Sequence, residues 1–396
     1  MDSNSINFDK FTELCYAVGM IIPRCYSNLE QYLEPGKVLV IYGPRRSGKT
    51  TLLNQYLQKA SWRYKLDSGD NIRTQQILGS QDFSQILPYA EGYELLVIDE
   101  AQSIPNIGMG LKILVDQMPA LRIIATGSSS FELAGQVGEP LTGRKRVLTL
   151  FPLAQEEILG AIANKHELRE KLPDYLIFGS YPEVVLENSG KRKIEILEEL
   201  VGSYVLKDIL ALERIKGSKI IFSILKLLAF QVGSQVSLNE IANAVDVDVK
   251  TVRRYLDLLE KTFVIRSLSG YSSNLRGEVT SKAKYYFVDN GIRNGVIQQY
   301  NALDMRADIG QLWENFIVLE RLKYRTHHEV YANMYFWRTY QQKEIDLVEE
   351  RDGGLFGYEC KWSPRQKVSP PKEWHAMYST AGYSVITQQN YFEFIT

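Results

Sequence analysis

Cysteine is scarce: Cys15, Cys25 and Cys360 are the only three in 396 residues, and their spacing forms neither a disulfide framework nor a metal-binding pair. They read as free thiols in a reducing compartment. An excess of either charge sign is missing, since 46 Lys and Arg stand against 47 Asp and Glu for a net charge of −1. That excludes a globally basic nucleic-acid binder and leaves local patches open. Long apolar runs are missing too. The most apolar long segment, Ile220 to Val232, is interrupted by Ser223, Lys226 and Gln231 and is too short to span a bilayer. The opening residues, MDSNSINFDK, have no basic stretch and no adjoining apolar core, so no secretory signal is expected. The expectation is a cytoplasmic protein without membrane contact. What is present is ordinary for a soluble globular chain, with 45% hydrophobic and 23% charged residues, and the length suits two or three domains.

The chain is organised around KVLVIYGPRRSGKTTLL, Lys37 to Leu53. Its apolar run, Val38 to Ile41, lies between Pro35-Gly36 and Gly43 and predicts a strand buried on both faces. Gly43, Pro44, Arg45, Arg46, Ser47, Gly48, Lys49 and Thr50 then match G-x-x-x-x-G-K-[ST], the P-loop. Glycines at these places let successive backbone N–H groups turn inward on phosphate oxygens. Lys49 is placed to reach the β- and γ-phosphates of ATP, and Thr50, followed by Thr51, to hold Mg²⁺ with the nucleotide. A helix starting here points its positive end at the same phosphates. Before it, Arg24 and the Leu29–Leu33 segment are expected over the nucleotide base.

Downstream, Glu94-Leu95-Leu96-Val97-Ile98-Asp99-Glu100 is a buried strand ending in two carboxylates, a Walker-B pattern. Asp99 is expected to hold the Mg²⁺ shell through water, and Glu100 to polarise the attacking water. A further strand, Leu121 to Thr126, runs into Gly127-Ser128-Ser129-Ser130. Thr126 or Ser128 is placed to hydrogen-bond the γ-phosphate or the attacking water; a Ser-rich helix cap would use the same residues. Arg144, in Leu141-Thr142-Gly143-Arg144, is a candidate for neutralising transition-state charge in cis or from a neighbour, or else part of a basic surface turn.

From Glu167 to Arg214 the pattern is helical, a solvated lid. Lys219–Val232, Leu238–Val245 and Asp248–Phe263 are helix-sized periodic segments followed by strand-like Val264–Ser267 and Tyr285–Val288, a winged helix-turn-helix order. In the last of these helices Val252, Leu256 and Leu259 share a face, while Lys250, Arg253 and Arg254 point elsewhere, and Asp246 or Asp248 caps the start. Seven basic against five acidic residues between Gly217 and Gly270 permit phosphate contact without demanding it, so DNA and a protein partner both remain open.

Near the C-terminus, a helix over Asp308–Tyr324 carries Glu314 at the side of its apolar face. Glu344–Glu349 and Leu355–Lys361 are strands around Asp352-Gly353, a two-residue hairpin signal. If those two residues are the turn, Arg351 pairs with Gly354 and Asp346 stands opposite Glu359. Lys361 then shares their face, and Ile345, Leu347, Tyr358 and Cys360 take the other. Acids that bind a divalent ion beside a lysine that orients water suit a metal-dependent phosphodiesterase. A solvated edge hairpin with alternating charges would look the same. This D…E-x-K arrangement resembles the PD-(D/E)XK restriction-endonuclease-like superfamily, with Ile345 where Pro often precedes the acid.

The order GPRRSGKT, LLVIDE, TGSSS, LTGR, a winged helix, then WENF, EIDLVEE and YECK resembles the bacterial and archaeal AAA-superfamily ATPase-like proteins that end in a domain of unknown function with a restriction-endonuclease-like fold. The resemblance covers nearly the whole chain. It implies an α/β P-loop NTPase domain with a mostly parallel sheet over 1–166, in which the strand ending at Thr126 lies between the P-loop and Walker-B strands. It further implies a helical and winged helix-turn-helix region over 167–301 and an α+β nuclease-like domain over 302–396. The resemblance itself supplies no biological role; the motifs taken together point to Mg²⁺-dependent ATP binding and hydrolysis that controls a DNA-binding or DNA-cutting C-terminal half, with a sequence-specific regulator as a further possibility. The alternative is an ATP-dependent switch that binds proteins through the winged helix and carries a catalytically inactive nuclease fold.

Overall fold

The computed structural model describes residues 22–127, 140–162, 164–205, 218–272, 283–364 and 369–396. β1 (Val38–Tyr42), β2 (Tyr64–Ser68), β3 (Leu95–Asp99), β4 (Arg122–Gly127) and β5 (Lys145–Thr149) form a five-stranded sheet in the order β2-β3-β4-β1-β5. Every pairing in it is parallel. β4 therefore lies between the P-loop strand and the Walker-B strand, as the resemblance implies. The continuous apolar runs have a simple cause. Val38, Val40, Leu96, Ile98, Ile123 and Ala125 face one core with the helices Ile72–Gly79 and Ile107–Gln117. The alternate residues Leu39, Ile41, Leu95, Val97 and Ile124 face a second core with Leu52 and Leu53 of the P-loop helix, Lys49–Leu57. Both faces are covered, so no position is left for a polar alternation. Parallel pairing also sets the C-terminal ends of β1, β3 and β4 side by side, where open α/β sheets bind ligands.

The rest of the chain builds one mixed sheet of seven strands in the order β12-β11-β10-β9-β7-β8-β6. These are β6 (Gln235–Val236), β7 (Ile265–Gly270), β8 (Ala283–Phe287), β9 (Asn333–Arg338), β10 (Glu344–Arg351), β11 (Gly354–Cys360) and β12 (Gly382–Ile386). The helices Ser218–Phe230, Leu238–Val245 and Val249–Lys261 precede β7 and β8 in the expected order, and β6 adds a short strand between the first two helices. Val252, Leu256 and Leu259 are buried, and the Asp248 side chain caps the helix by accepting from Thr251 N at 2.8 Å.

A boundary at 301/302 cuts through this sheet: β7 pairs in parallel with β9 at Ser269–Tyr335 and Gly270–Phe336. One apolar core also runs continuously from Leu172 and Leu225 to Tyr391 and Ile395. Its axle is the helix Ile309–His327, 19 residues and about 28 Å long. Among the described residues no helix is long and apolar enough to cross a membrane.

Candidate nucleotide-binding site

The loop from Gly43 to Gly48 needs its glycines. A Cβ on Gly43 would stand 2.2 Å from the Leu150 carbonyl oxygen, and Gly48 has φ +97°, a left-handed value that side chains resist. Gly48 is also the N-cap of the P-loop helix and supplies no capping side chain, so the helix presents bare N–H groups to the loop. Ser47 Oγ is buried there without a hydrogen-bond partner. Lys49 is buried, with Nζ donating to the carbonyls of Gly43 at 2.9 Å and Pro44 at 2.8 Å. An ammonium turned onto loop carbonyls, an orphaned hydroxyl and an uncapped helix start form a cradle that fits a polyphosphate.

Beside it, Thr50 Oγ1 donates to Asp99 Oδ2 at 2.7 Å. This puts the two groups expected to hold Mg²⁺ against each other. Thr126 is fully buried; its hydroxyl donates to Asp99 Oδ1 and accepts from Glu100 N at 3.1 Å. The Thr126 hydroxyl thus links the two acidic residues, its proton committed to Asp99. Glu100 has φ +51°, and its carboxylate accepts from Gln102 Nε2. Ser128 lies outside the described residues. Thr51 is exposed on the first turn of the helix, and Arg45 is half-buried in the loop.

Far from the P-loop, the acidic hairpin partly follows its expected register. Arg351 pairs with Gly354, Leu347 with Tyr358, and Asp352 and Gly353 turn with φ +51° and +73°. Lys361 pairs with Glu359 at 2.7 Å. A bulge against β9 between Ile345 and Val348 breaks the strict alternation. Ile345 consequently packs with Val348, Trp337 and Trp374, while Leu347 packs with Tyr358 and Cys360. Ile345 and Leu347 therefore do not share a face, contrary to expectation. Asp346, inside the bulge, accepts from Cys360 N at 2.8 Å.

The acids and lysine of the expected metal cluster, Glu314, Asp346, Glu359 and Lys361, lie near one another and are joined by a residue that sequence reasoning passed over. Lys284 of β8, its side chain 1% exposed, bonds Glu314 Oε1 at 3.0 Å and pairs with Glu344. Tyr286 also donates to Glu314 Oε1, at 2.8 Å. Burial and the nearby Asp346 push the Glu314 carboxyl up to about 7, against the pull of Lys284. Burial raises Asp346 and Glu359 as well, opposed by Lys284 and Lys361 respectively. Lys284 is held above the ordinary lysine value by Glu314, Glu344 and Asp346, although burial pulls it down. The cation among these acids is an internal ammonium. Of all described His, Cys, Asp and Glu side chains, the trio with ligand atoms within 4.8 Å of one another is a different one, Cys25, Glu156 and His327.

Comparison with known proteins agrees with the loop geometry. A family model described as AAA domain matches residues 35–159, and domains of unknown function match 169–302 (DUF8612) and 309–395 (DUF4143). An uncharacterized protein of Haemophilus influenzae is 30% identical over 320 residues, 75% of this chain and 77% of that protein. The chain belongs to this family of AAA-domain P-loop proteins. An uncharacterized protein of Mycobacterium tuberculosis is 29% identical over 360 residues, 88% of this chain and 76% of its own. One from Methanocaldococcus jannaschii is 26% identical over 314 residues, covering 74% and 68%. Among solved structures, AMPPCP-bound DnaA from Aquifex aeolicus aligns over 66% of this chain and 89% of its own at 17% identity, with a TM-score of 0.30.

Three arginines in and just before the AAA domain depart from, or add to, their expected places. Arg24 does not lie over a base. It is buried, with Nη1 donating to Ser47 O at 2.6 Å, Nη2 to Phe151 O at 2.6 Å and Nε to Glu157 Oε1 at 2.9 Å. Leu29 packs beneath the sheet with Leu39 and Ile41. Burial alone would raise Glu157, but Arg24, His327 and the Ala154 N–H together hold the carboxyl below its ordinary value. Arg144 bonds Asp116 at 2.6 Å, and its carbonyl accepts from Val38 N. It therefore stands at the entry end of β1, roughly 13 Å of strand away from the P-loop, and does not reach the phosphates in cis. Arg46 reaches out of the loop to Glu183 at 2.9 Å and Glu199 at 2.7 Å, in the helical region. Arg24→Met should lower unfolding stability by about 3–5 kcal/mol, because Glu157 keeps its burial and loses its cation. An unchanged denaturant midpoint would show that Arg24 does not brace the loop.

Proposed function

We propose that this protein binds ATP with Mg²⁺ at Gly43–Thr51, hydrolyses it, and passes its nucleotide state to a C-terminal half that acts by binding rather than by cutting. The observation that carries the first part is the linked set Thr50–Asp99–Thr126–Glu100 beside the Lys49 loop. Lys49 exchanges its carbonyl partners for phosphate oxygens. Thr50 and Asp99 would hold the ion, which would screen the phosphate charge. Glu100, with its backbone N–H fixed by Thr126, is set to take a proton from the attacking water once Gln102 releases its carboxylate.

Two contacts support transmission. Arg46 ties the P-loop to the helices that carry Glu183 and Glu199, and Arg24 ties Ser47 to the helix Gln155–Ile162. A change in loop conformation on nucleotide binding or release would pull on both. Lys284 supports the non-cutting part, since its ammonium already pairs with Glu314, one of the acids that a nuclease would use for a metal. The element order from Ser218 to Phe287 fits a winged helix, and the hairpin after the long helix fits an inactive PD-(D/E)XK fold.

A DNA-binding reading is favoured by one feature: Lys250, Arg253 and Arg254 are all exposed on the outer face of the helix Val249–Lys261. Salt-dependent affinity for duplex DNA that falls in Arg253→Ala would choose it over a protein partner. The nucleotide reading is tested by calorimetry on Lys49→Ala, which should lose measurable ATP binding. Unchanged affinity would overturn the site assignment.

A further inference from the structure

We propose that Cys25, Glu156 and His327 form a binding site for a divalent ion of the zinc class, separate from the nucleotide. The three residues come from the lead-in before β1, the first turn of the helix Gln155–Ile162, and the last residue of the helix Ile309–His327. Each offers one ligand atom, and these atoms lie within 4.8 Å of one another. A tetrahedral ion with bonds of about 2.0–2.3 Å sets its ligand atoms roughly 3.3–3.7 Å apart, so the hydrogen-bonded His327 Nδ1 and Glu156 Oε1, now 2.5 Å apart, must open by about 1 Å to admit it.

The imidazole is the second and independent observation. The His327 side chain is 1% exposed, its Nδ1 lies 2.5 Å from Glu156 Oε1, and its Nε2 is buried without a hydrogen-bond partner. A buried ring nitrogen without a partner is costly unless something binds it. Glu156 is oriented from its other side by His328 Nε2, 2.7 Å from Oε2, the outer-shell support that metal-ligating groups usually have. Cys25 is exposed, which gives an ion an entry path and leaves a coordination position toward solvent.

The donor set selects the metal. A thiolate, an imidazole and a carboxylate suit Zn²⁺ and its surrogate Co²⁺, whereas Mg²⁺ takes oxygen ligands. Binding displaces the Cys25 thiol proton to solvent, because the thiolate is the ligand. An ion here would link two parts of the fold. Cys25 adjoins Arg24, whose guanidinium touches Ser47 of the P-loop, and His327 ends the helix that carries Glu314.

The test uses the full chain, stripped with chelator and free of nucleotide, titrated with Co²⁺. One equivalent should produce a thiolate-to-cobalt charge-transfer band that Zn²⁺ then removes. Cys25→Ser should abolish the band, His327→Gln should weaken Co²⁺ affinity by at least the roughly 10–100-fold that loss of an outer-shell partner costs, and Cys15→Ser and Cys360→Ser should keep it. Lys49→Ala should also keep it, which separates this site from the P-loop. Thermal melts establish that each variant is folded. Absence of the band in the folded wild-type chain, or its persistence in Cys25→Ser, would overturn the proposal.

Discussion

Glu100→Gln should bind ATP as tightly as the wild type and turn it over roughly 10²–10⁴ times more slowly, the usual loss when a positioned general base is removed. The geometry explains why the two effects should separate. The phosphate cradle is made by the Gly43–Gly48 backbone, Lys49 and the helix start, none of which the substitution touches. Glu100 enters only when water must be deprotonated. Its backbone N–H is held by Thr126 Oγ1 at 3.1 Å and by Asp99 Oδ1 at 3.2 Å, so a glutamine there keeps the backbone in place and loses only basicity. Single-turnover measurement with excess protein isolates the chemical step. Wild-type turnover in Glu100→Gln would move the proton acceptor to another residue. A parallel loss of ATP affinity would mean that Glu100 shapes the cradle.

Much of this site was readable in the residues because its parts are local or follow strand periodicity. A glycine-bounded P-loop between a buried strand and a helix has few other solutions, and LLVIDE ends its strand in acids at the ligand-binding edge. The hairpin turn was equally legible, since Asp352 and Gly353 tolerate the left-handed φ values that a two-residue turn imposes. What was not legible depends on long-range contact. Arg24 looked like a base-contacting residue because nothing near it in sequence indicates Glu157 or Phe151. The bulge at Asp346 depends on the pairing of β10 with β9 across a loop, so a register counted from the hairpin alone could not contain it. Lys284 had one weak signal. A lysine in the run Ala283-Lys284-Tyr285-Tyr286-Phe287, with buried tyrosines beside it, must find a carboxylate if it too is buried.

Lys284→Met should destabilise the fold by about 3–5 kcal/mol at pH 8, the cost of leaving buried acids without their cation. The cost should shrink on acidification. In the wild type, the Glu314 carboxyl is raised from an ordinary 4.5 to about 7, so between these values the folded chain keeps a proton that the unfolded chain has released. By linkage, its contribution to stability falls as pH rises from about 4.5 to about 7, and the full penalty is present above that. Lys284 remains charged throughout this window, because its folded value lies above the ordinary 10.5. Removing the ammonium should push Glu314 further up, which enlarges the total loss and extends it above pH 7. Adding Glu314→Gln to Lys284→Met should flatten the pH dependence and restore part of the stability, since the two residues act as a pair. Mn²⁺ should not raise the melting temperature of the nucleotide-free wild type through this cluster, because the ammonium already occupies the cation's place. Denaturant unfolding of the single and double variants at pH 5 and pH 8 measures the stability changes, and thermal melts of the wild type with and without Mn²⁺ measure the effect of the metal. A Lys284→Met protein as stable as the wild type at both pH values would show that the acids are compensated in some other way. A melting shift with Mn²⁺ that vanishes in Asp346→Asn would return the hairpin to the metal-dependent nuclease reading.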